Sequence, residues 1–265
     1  MKILSGKDLA GYVKERQAHL AGGLRAQKKP AKLLIIRDSD NPVIVKYVNL
    51  KKRYGEDIGV VVEDCFCETT EKIKEAIKRG NEDKTISGII VQLPLKNIET
   101  TDEVLKLIAS EKDVDGLSQK GKYDSATATA INWLLAGYGV ELANKKIAIV
   151  GKGRLVGAPL IKMWTNSGYD VTDFSKGDDL AVLRNFNVIV TATGVPHLIK
   201  NELVGGGAVV VDAGTASEDG VLVGDVDDEI RERKDLTAIT PKIGGVGPLT
   251  VSVLFENVIN AATKK

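Results

Sequence analysis

The chain has 265 residues, enough for one large domain or two smaller ones, and its 43% hydrophobic and 28% charged residues are typical of a globular protein. Acidic and basic residues alternate along the chain and leave a net charge of +1, which gives no footprint for nucleic acid or an anionic membrane as a partner. No apolar stretch approaches the ~20 residues of a membrane span, and the N-terminus lacks the pattern of a signal peptide.

Cysteine and histidine are too sparse to predict a disulfide scaffold or a metal site. Cys65 and Cys67 occupy alternate positions in "DCFCET", where a bridge between neighbours on one strand is strained. His19 and His197 are far apart in the sequence, and neither has ligand-like neighbours. We therefore expect a cytoplasmic protein with reduced thiols and no metal.

Helix and strand patterns alternate through the first half of the chain. An amphipathic helix precedes the apolar run "AKLLIIRD", and a helix entered through "SDNP" precedes the strand "DIGVVVEDCFCE". The segment "TTEKIKEAIKRGNED" has helix start signals and Gly80 as its expected stop signal. The strand "ISGIIVQLPL" and the helix "ETTDEVLKLIAS" follow. This alternation predicts parallel strands buried on both faces.

The helix after "SDNP" carries a lysine inside its apolar stripe. Ile44, Tyr47, Val48 and Lys51 follow the i, i+3, i+4, i+7 rule, and Leu50 widens one edge of the stripe. One interpretation is a lysine whose stem covers apolar surface while its amine reaches water. The other is a buried amine with a lowered pKa, which can exchange a proton during catalysis.

The second half predicts a separate nucleotide-binding unit. The polar, glycine-rich segment "KDVDGLSQKGKYDSATATA" is the expected domain crossing, and a regular series of strands and helices follows it. We expect an α/β protein with two α/β domains around a cleft, the second a Rossmann-like doubly wound parallel sheet. The first domain comprises residues 1–120 plus the C-terminal helix 248–265, and the second comprises residues 121–247.

A glycine loop marks the expected cofactor site. In "IAIVGKGRLVGAPL", Gly151, Gly153 and Gly157 follow a strand and open a helix, where backbone N–H groups can approach a pyrophosphate. The spacing is one residue longer than the usual fingerprint, and the alternative is that the glycines only permit close helix–sheet packing.

Charged residues near this loop leave the choice between NAD and NADP open. Asp173 ends the next strand, where an acid typically binds the ribose 2′-hydroxyl of NAD. Lys152 and Arg154 favour NADP instead, because they could hold a 2′-phosphate.

Several strings in one order resemble a known family. The chain is similar to the bifunctional methylenetetrahydrofolate dehydrogenase/methenyltetrahydrofolate cyclohydrolase family, on the motifs "YVNLKKRYGEDIG", "GIIVQLPL", "KDVDG", "GKGRLVGAP" and "ITPKIGGVGPLT". The resemblance implies oxidation of 5,10-methylenetetrahydrofolate with NADP, or NAD, and hydrolysis of the methenyl product to 10-formyltetrahydrofolate. It also implies a homodimer.

The resemblance implies a role for each matching residue. Lys51 would be the active-site lysine, and Gln92 would tune it. Tyr47, Gln92 and Asp115 would contact the folate, and the implied catalytic residues are Lys51, Tyr47, Gln92 and Asp115. The implied folate-binding set is completed by Gly244, Gly245, Val246 and Pro248. The implied cofactor-binding residues are Gly151, Lys152, Gly153, Arg154, Asp173, Ser175 and Thr215. For Asp115 and Gln92 the structural alternatives are a turn former and a loop-capping strand residue.

The chain departs from the family pattern at several positions. Ile44 replaces a serine, Lys152 and Gly153 replace Arg-Ser, Ile243 replaces a proline, and the stretch after "KDVDG" is shorter. These departures leave two alternatives open. One is an NAD(P)-dependent oxidoreductase of the same architecture acting on another small substrate, and the other is a non-catalytic folate- or nucleotide-binding protein.

Overall fold

The computed structural model describes residues 1–118, 121–218 and 221–264. The α-helices of these residues are α1 (Gly6–Ala26), α2 (Pro42–Ile58), α3 (Thr70–Glu82), α4 (Thr101–Lys106), α5 (Ala126–Gly137), α6 (Gly157–Asn166) and α7 (Val246–Thr263). The strands are β1 (Lys2–Ile3), β2 (Lys32–Arg37), β3 (Val61–Phe66), β4 (Gly88–Val91), β5 (Lys146–Val150), β6 (Asp170–Phe174), β7 (Val188–Thr191), β8 (Val209–Asp212), β9 (Ala216–Glu218), β10 (Val221–Val223) and β11 (Ala238–Ile239). Within these ranges no helix is both long and apolar enough to cross a bilayer.

The chain divides into two compact units. The Lys51 unit comprises Gly11–Ala126 and the chain from Val251 onward. The glycine-loop unit comprises Met1–Ala10 and Thr127–Thr250. The first ten residues group with the glycine-loop unit because β1 pairs in parallel with β11. Each unit contains its own parallel sheet.

The Lys51 unit is built on a three-stranded parallel sheet in the order β3-β2-β4. Leu34 of the central strand lies beside Glu63 on one side and Ile89 on the other. The β2 side chains Leu33, Ile35 and Ile36 are fully buried, as an uninterrupted apolar run in a central parallel strand requires. One face of the sheet packs against Ile73 and Ile77 of α3 and Val104 of α4.

Helix α2 begins and ends at strong local signals. The Asn41 side chain accepts a hydrogen bond from the Val43 N–H, and Pro42 occupies the first turn, where its missing N–H costs nothing. Gly59 ends the helix in the left-handed conformation, with φ of 73°. Leu50 is 44% exposed, so its predicted place at the edge of the apolar stripe is wrong. It lies about 200° around the helix from the buried Val48.

A polar network ties α1, α2 and α7 together inside the Lys51 unit. The Tyr54 hydroxyl lies 2.8 Å from Gln17 Oε1 and 3.0 Å from Ser252 Oγ. Gln17 is fully buried, and its Nε2 donates to the Ser252 carbonyl at 2.8 Å. Tyr54 also packs its ring against Phe255, with centroids 5.0 Å apart. Because every buried polar atom of Gln17 is engaged, the network holds α2 at a fixed position.

The glycine-loop unit is built on a six-stranded parallel sheet in the order β1-β11-β8-β7-β5-β6. Strand β5 lies between β6 and β7, so the chain leaves β5 toward one edge and later returns on its other side. Such a switch point opens a crevice at the carboxyl ends of the two strands, where nucleotides bind. The predicted fold class of two α/β units with parallel sheets, the second doubly wound, is confirmed.

Some predicted elements differ in detail. The segment "DDLAVLRNF", whose pattern predicts an α-helix, forms a 3-10 helix at Leu180–Asn185. The Asp179 side chain caps its start, and the next strand begins at Val188, which leaves room for only a short helix. Gly80 lies inside α3 instead of after it. A side chain at Gly80 would press on Leu34 and Ile89 of the sheet, so close packing, rather than a helix stop, accounts for this glycine. The two-residue strands β1 and β11 were not predicted, because a side-chain period is unreadable at that length.

Candidate active site

Lys51 lies against the end of strand β4. Its Nζ donates a hydrogen bond to Gln92 Oε1 at 2.8 Å. Gln92 is the first residue after β4, and its backbone N–H continues the ladder by donating to the Ile36 carbonyl at 2.8 Å. The Gln92 Nε2 donates to the Leu93 carbonyl at 3.1 Å, which fixes the amide so that its oxygen faces the lysine. The amine therefore has a defined acceptor and position.

The residues just before Asp115 extend the sheet in parallel beside β4 and place Asp115 near the end of that strand. Asp113 bridges to Ile89 of β4, so the residues after it run alongside the end of that strand. The Val114 carbonyl accepts a hydrogen bond from Asn257 of α7 at 2.9 Å, and Gly116 turns the chain with φ of 66°. A side chain at Gly116 would overlap the Asp124 backbone, so this turn requires glycine.

Burial destabilises both charges at this site. Desolvation lowers the pKa of Lys51, and the attraction of Asp115 opposes that shift. Desolvation also raises the pKa of Asp115 to about 6, with Lys51 lowering it and Asp113 adding to the rise. Lys51 and Asp115 are each partly accessible to solvent, but enough protein atoms lie around each side chain to desolvate its charge. Desolvation therefore favours the neutral form of each group, as a lysine or a carboxyl group that takes part in proton transfer requires.

Tyr47 completes the group of residues predicted on this side. It lies one helical turn before Lys51 on α2 and is partly buried. Ile44, where the family pattern has serine, lies a further turn back and is buried. The structure thus brings Lys51, Gln92 and Asp115 together, with Tyr47 on the same face of the helix as the lysine.

The glycine loop has the form of a phosphate cradle. Gly151 has φ of 98°, and a side chain there would lie 2.6 Å from the Ala192 carbonyl oxygen. Gly157, at the start of α6, packs directly on the Gly151 backbone. A side chain at Gly153 would meet only the Ala192 oxygen, at 3.8 Å, so the loop leaves open space there for a bound group. The residues present fit a dinucleotide pyrophosphate.

Other predicted cofactor residues lie at the same carboxyl edge of the sheet. Thr215 follows β8, and its carbonyl oxygen lies 3.7 Å from the side-chain position of Gly194, which follows β7. Ser175 follows β6 and is exposed, and its N–H donates to Asp178 Oδ2 at 2.6 Å. The ends of β5, β7 and β8 therefore converge, as the switch-point rule requires.

Lys152 and Asp173, which favour different cofactors, form an ion pair with each other. The hydrogen bond to Asp173 raises the pKa of Lys152, and Asp178 adds to that rise. Both side chains line a pocket of about 380 Å³ together with residues of α6. Because the lysine neutralises Asp173, the carboxylate repels a nearby phosphate less than a lone acid would.

The "GGVGP" segment lies in the glycine-loop unit. Gly244 has φ of 83°, and its carbonyl accepts a hydrogen bond from the Lys7 N–H at 3.0 Å. Gly245 packs on Gly6 so closely that a side chain at Gly6 would overlap its carbonyl. Helix α7 begins at Val246, with Pro248 in its first turn. These four predicted residues thus belong to a different compact unit from Lys51.

Metal-binding side chains are not clustered. In the ranges 1–118, 121–218 and 221–264, no three or more His, Cys, Asp or Glu side chains are placed to hold a metal ion.

Two family profiles cover nearly the whole chain. "Tetrahydrofolate dehydrogenase/cyclohydrolase, catalytic domain" matches residues 4–115, and "Tetrahydrofolate dehydrogenase/cyclohydrolase, NAD(P)-binding domain" matches residues 125–265. The chain belongs to the tetrahydrofolate dehydrogenase/cyclohydrolase family. The resemblance predicted from the sequence motifs is confirmed.

Members of the tetrahydrofolate dehydrogenase/cyclohydrolase family align with this chain from end to end. Bifunctional protein FolD of Aquifex aeolicus is 34% identical, with 99% of this chain and 96% of that protein covered. The crystal structure of bifunctional FolD from Campylobacter jejuni has a TM-score of 0.93 at 32% identity, covering 100% of this chain and 99% of that one. The Trypanosoma brucei FolD complexed with NADP cofactor and inhibitor has a TM-score of 0.90 at 28% identity, covering 99% and 97%.

Two residues that support the segment bearing Asp115 were not predicted from the sequence. Lys112 is buried, and its Nζ donates to the carbonyls of Gly80, Asn81 and Asp83, each at 2.8 Å. It thereby satisfies the carbonyl groups at the end of α3. A cation at the first position of "KDVDG", just before a buried segment, is the signal that could have identified it.

Asp113 was also missed. Its carboxylate accepts hydrogen bonds from the N–H groups of Gly116, Leu117 and Ser118, at 3.1, 3.4 and 2.8 Å. Asp113, rather than Asp115, is therefore the residue that forms the turn. The spacing Asp-x-Asp-Gly alone does not say which of the two acids caps the turn.

A buried pair of carboxyl groups supports the cofactor side of this family member. Asp225 accepts a hydrogen bond from the Thr193 N–H at 2.6 Å, and burial raises the pKa of Asp225. Asp212 accepts from Arg231 Nη2 at 2.7 Å and from the Asp225 N–H at 3.1 Å. These bonds fix the loops after β7 and β8.

Proposed function

We propose that this protein oxidises 5,10-methylenetetrahydrofolate to 5,10-methenyltetrahydrofolate with NADP and then hydrolyses the product to 10-formyltetrahydrofolate. The observation that carries the proposal is the 2.8 Å hydrogen bond from Lys51 Nζ to Gln92 Oε1 beside Asp115, in a chain of the tetrahydrofolate dehydrogenase/cyclohydrolase family. The protein is therefore an enzyme with two consecutive activities on one folate.

Lys51 manages the proton in the hydrolytic step. Water that attacks the cationic methenyl carbon must lose a proton, and a ring nitrogen must gain one when the carbon–nitrogen bond breaks. Burial lowers the pKa of Lys51, so a neutral amine that can accept the first proton is accessible. Gln92 Oε1 can accept a hydrogen bond from the amine in either protonation state, and this bond holds the amine in place.

Asp115 and Tyr47 bind the folate in this proposal. The 2-amino group and N3–H of a pterin are adjacent donors that match the two oxygens of one carboxylate. Asp115 accepts them when it is ionised, and Tyr47 packs its ring against the substrate. Gly244, Gly245, Val246 and Pro248 are proposed to complete the substrate contacts.

The glycine-loop unit holds the cofactor, whose nicotinamide ring, when bound, accepts the hydride from the methylene carbon. Gly151 and Gly153 let the backbone approach the pyrophosphate of the cofactor. Lys152 and Arg154 attract the 2′-phosphate of the NADP ribose. The proposed cofactor contacts also include Asp173, Ser175 and Thr215. NAD is the alternative cofactor, because Asp173 keeps a carboxylate in this group.

Two absorbance assays on the full-length protein test the proposal. Methylenetetrahydrofolate is added with NADP or with NAD while NADPH or NADH formation is followed, and methenyltetrahydrofolate is added without cofactor while its absorbance decays. We expect both reactions, with NADP used more efficiently. Folate binding without either reaction would favour a non-catalytic folate-binding protein. Absence of folate binding would favour an oxidoreductase for another small substrate.

We also propose the domain roles, the assembly and the location. The Lys51 unit, predicted from the sequence as residues 1–120 with the helix 248–265, is the folate-binding catalytic domain in this proposal, and the glycine-loop unit, predicted as residues 121–247, is the dinucleotide-binding domain. The structure differs from these predicted bounds by grouping Met1–Ala10 with the glycine-loop unit. The family resemblance favours a homodimer, which sedimentation of the purified protein tests directly. The free thiols of Cys65 and Cys67 favour the reducing cytoplasm.

A further inference from the structure

A second pocket lies at the open edge of the Lys51 unit's sheet, between the edge strand β3 and helix α3. Its volume is about 530 Å³, and both cysteines of the chain line it. Cys65 and Cys67 pack on the same face of the sheet as Ile73 of α3. None of the residues that line this pocket is Lys51, Gln92 or Asp115, so the pocket is separate from the site described above.

The two thiols are close enough to react with each other. Their Sγ atoms are 3.8 Å apart, and both sulfurs are free. Alternate residues of a strand have Cα atoms about 6.6–6.8 Å apart, which lies at the upper limit of disulfide geometry. Closing a bridge therefore requires a backbone shift at Cys67, the first residue after β3, as well as side-chain rotation. The resulting disulfide is expected to be readily reduced, because its geometry is near the limit.

The thiols differ in access. Cys65 is partly exposed in the pocket, whereas Cys67 is only 3% exposed. Burial, with the neighbouring Cys65 sulfur adding to its effect, raises the pKa of Cys67 to about 12. The Cys67 sulfur also lies 3.6 Å from the Lys72 carbonyl oxygen. Cys65 is consequently the sulfur that meets a reagent first, and Cys67 is placed to attack afterwards.

The pocket carries more positive than negative side chains. Lys72, Lys78 and Arg79 line it together with Glu75 and Glu82. Lys72 is paired with Glu68, so we assign the contacts to an anion to Lys78 and Arg79. Lys72 and Arg79 lie near enough to the sulfurs to favour a thiolate at Cys67, which opposes the effect of burial on its pKa. A small disulfide that carries carboxylates, such as glutathione disulfide, matches this charge better than a neutral or cationic one.

We propose that Cys65 and Cys67 form a thiol–disulfide exchange site for an anionic low-molecular-weight disulfide. The Cys65 thiolate attacks one sulfur of glutathione disulfide, which forms a mixed disulfide and releases one glutathione thiolate. The Cys67 sulfur then loses its proton to solvent and attacks the Cys65 sulfur, which forms the Cys65–Cys67 disulfide and releases the second glutathione. Two protein thiols are oxidised, and one glutathione disulfide is reduced to two glutathiones.

The test follows the full-length protein by intact mass after incubation with glutathione disulfide, acid quenching and alkylation of free thiols. The wild type should lose both free thiols and retain no glutathione. Cys67→Ala should retain one glutathionyl group, because the resolving sulfur is gone. Cys65→Ser should react at least about tenfold more slowly than Cys67→Ala, because its remaining thiol is buried. Thermal unfolding of each variant checks that it is folded.

A charge control separates recognition from simple thiol reactivity. The double variant Lys78→Gln/Arg79→Gln should react severalfold more slowly with glutathione disulfide and at the wild-type rate with neutral hydroxyethyl disulfide. Two free thiols in the wild type after prolonged incubation would overturn the proposal, as would equal rates for Cys65→Ser and Cys67→Ala. A stable single adduct on the wild type would overturn the resolving role of Cys67. Equal slowing with both reagents would overturn the preference for anions.

Discussion

Asp113 and Asp115 lie two residues apart, yet their carboxyl groups have different surroundings. The Asp113 carboxylate is buried and accepts three backbone N–H groups, an arrangement that stabilises a charge. Asp115 faces Lys51, and burial raises its pKa to about 6. One aspartate therefore stabilises the turn, and the other, which we propose binds the folate, lies where burial of its charge costs folding free energy.

Asp115→Asn should stabilise the protein at pH 7 by about 1–3 kcal/mol while weakening folate binding. A folded-state pKa above the unfolded value means that the native state binds more protons between about pH 4 and pH 6. Wild-type stability should therefore fall, relative to the variant, as the pH rises through that range. Urea unfolding at several pH values measures this difference.

Asp113→Ala is the matched contrast. It should destabilise the protein by about 2 kcal/mol or more, because three N–H donors lose a charged acceptor. If Asp115→Asn destabilised the protein as much as Asp113→Ala at pH 7, the assignment of different roles to the two acids would be wrong.

Lys51→Met should reduce cyclohydrolase turnover by about a hundredfold or more, the range expected when an acid–base group is lost. The fold should be retained, because methionine is an unbranched side chain of nearly the same length that packs along the same apolar stripe of α2. Lys52→Met is the control, since Lys52 is exposed and lies 3.9 Å from Asp64 rather than at the site. Equal turnover of methenyltetrahydrofolate by the two variants would remove Lys51 from the mechanism.

Helix ends and strand ends carry most of the support for both sites. Lys112 ties the end of α3 to the segment that bears Asp115, and Asn257 of α7 holds the same segment from another element. On the cofactor side, the Lys152–Asp173 ion pair joins the loop after β5 to strand β6. The elements thus position site residues through polar contacts at their ends.

Lys112→Met should destabilise the protein by about 2–4 kcal/mol, because three carbonyls at the end of α3 lose a buried charged donor. Lys78→Met, an exposed change on the same helix, should alter stability by less than about 0.5 kcal/mol. Denaturant unfolding compares them, and similar losses in the two variants would show that the buried contacts of Lys112 contribute little.

The Lys152–Asp173 pair should control the choice of cofactor in opposite directions. Lys152→Ala leaves the Asp173 carboxylate unpaired and should shift preference toward NAD, whereas Asp173→Ser should shift it toward NADP. Each shift should be about five- to tenfold in the ratio of kcat/KM values, the size of one charge contact. NADPH affinity measured by fluorescence gives a readout that does not depend on turnover. Shifts in the same direction would contradict the assignment.

At the scale of the whole molecule, the sequence predicted the alternation of elements and the residues around Lys51. It did so because apolar runs and the Asn41–Pro42 helix start are local signals, whereas the helix stop at Gly59 lay inside the predicted strand "DIGVVVEDCFCE". It missed the pairing of β1 with β11, which joins residues far apart in the chain through only two positions each. It also left Lys152 and Asp173 as opposing indications of the cofactor, because an ion pair between a loop and a neighbouring strand depends on the fold.

The roles within "KDVDG" show the same limit. The motif was recognised, yet only the fold distinguishes the helix-capping lysine and the turn-capping Asp113 from Asp115 beside Lys51. All three are charged residues within one pentapeptide, and their side chains point to different elements. Residue type and spacing predict that such a segment is important, whereas the direction of each side chain is a tertiary property.

The central claim is that the Lys51 amine is held out of water beside Gln92, where it exchanges a proton. The most direct measurement is the titration of Lys51 Nζ by nitrogen NMR in the full-length protein, assigned by the signal that disappears in Lys51→Met. We predict a pKa below the ordinary lysine value of about 10.4, because desolvation outweighs the attraction of Asp115. A Lys51 pKa at or above that value would contradict the account.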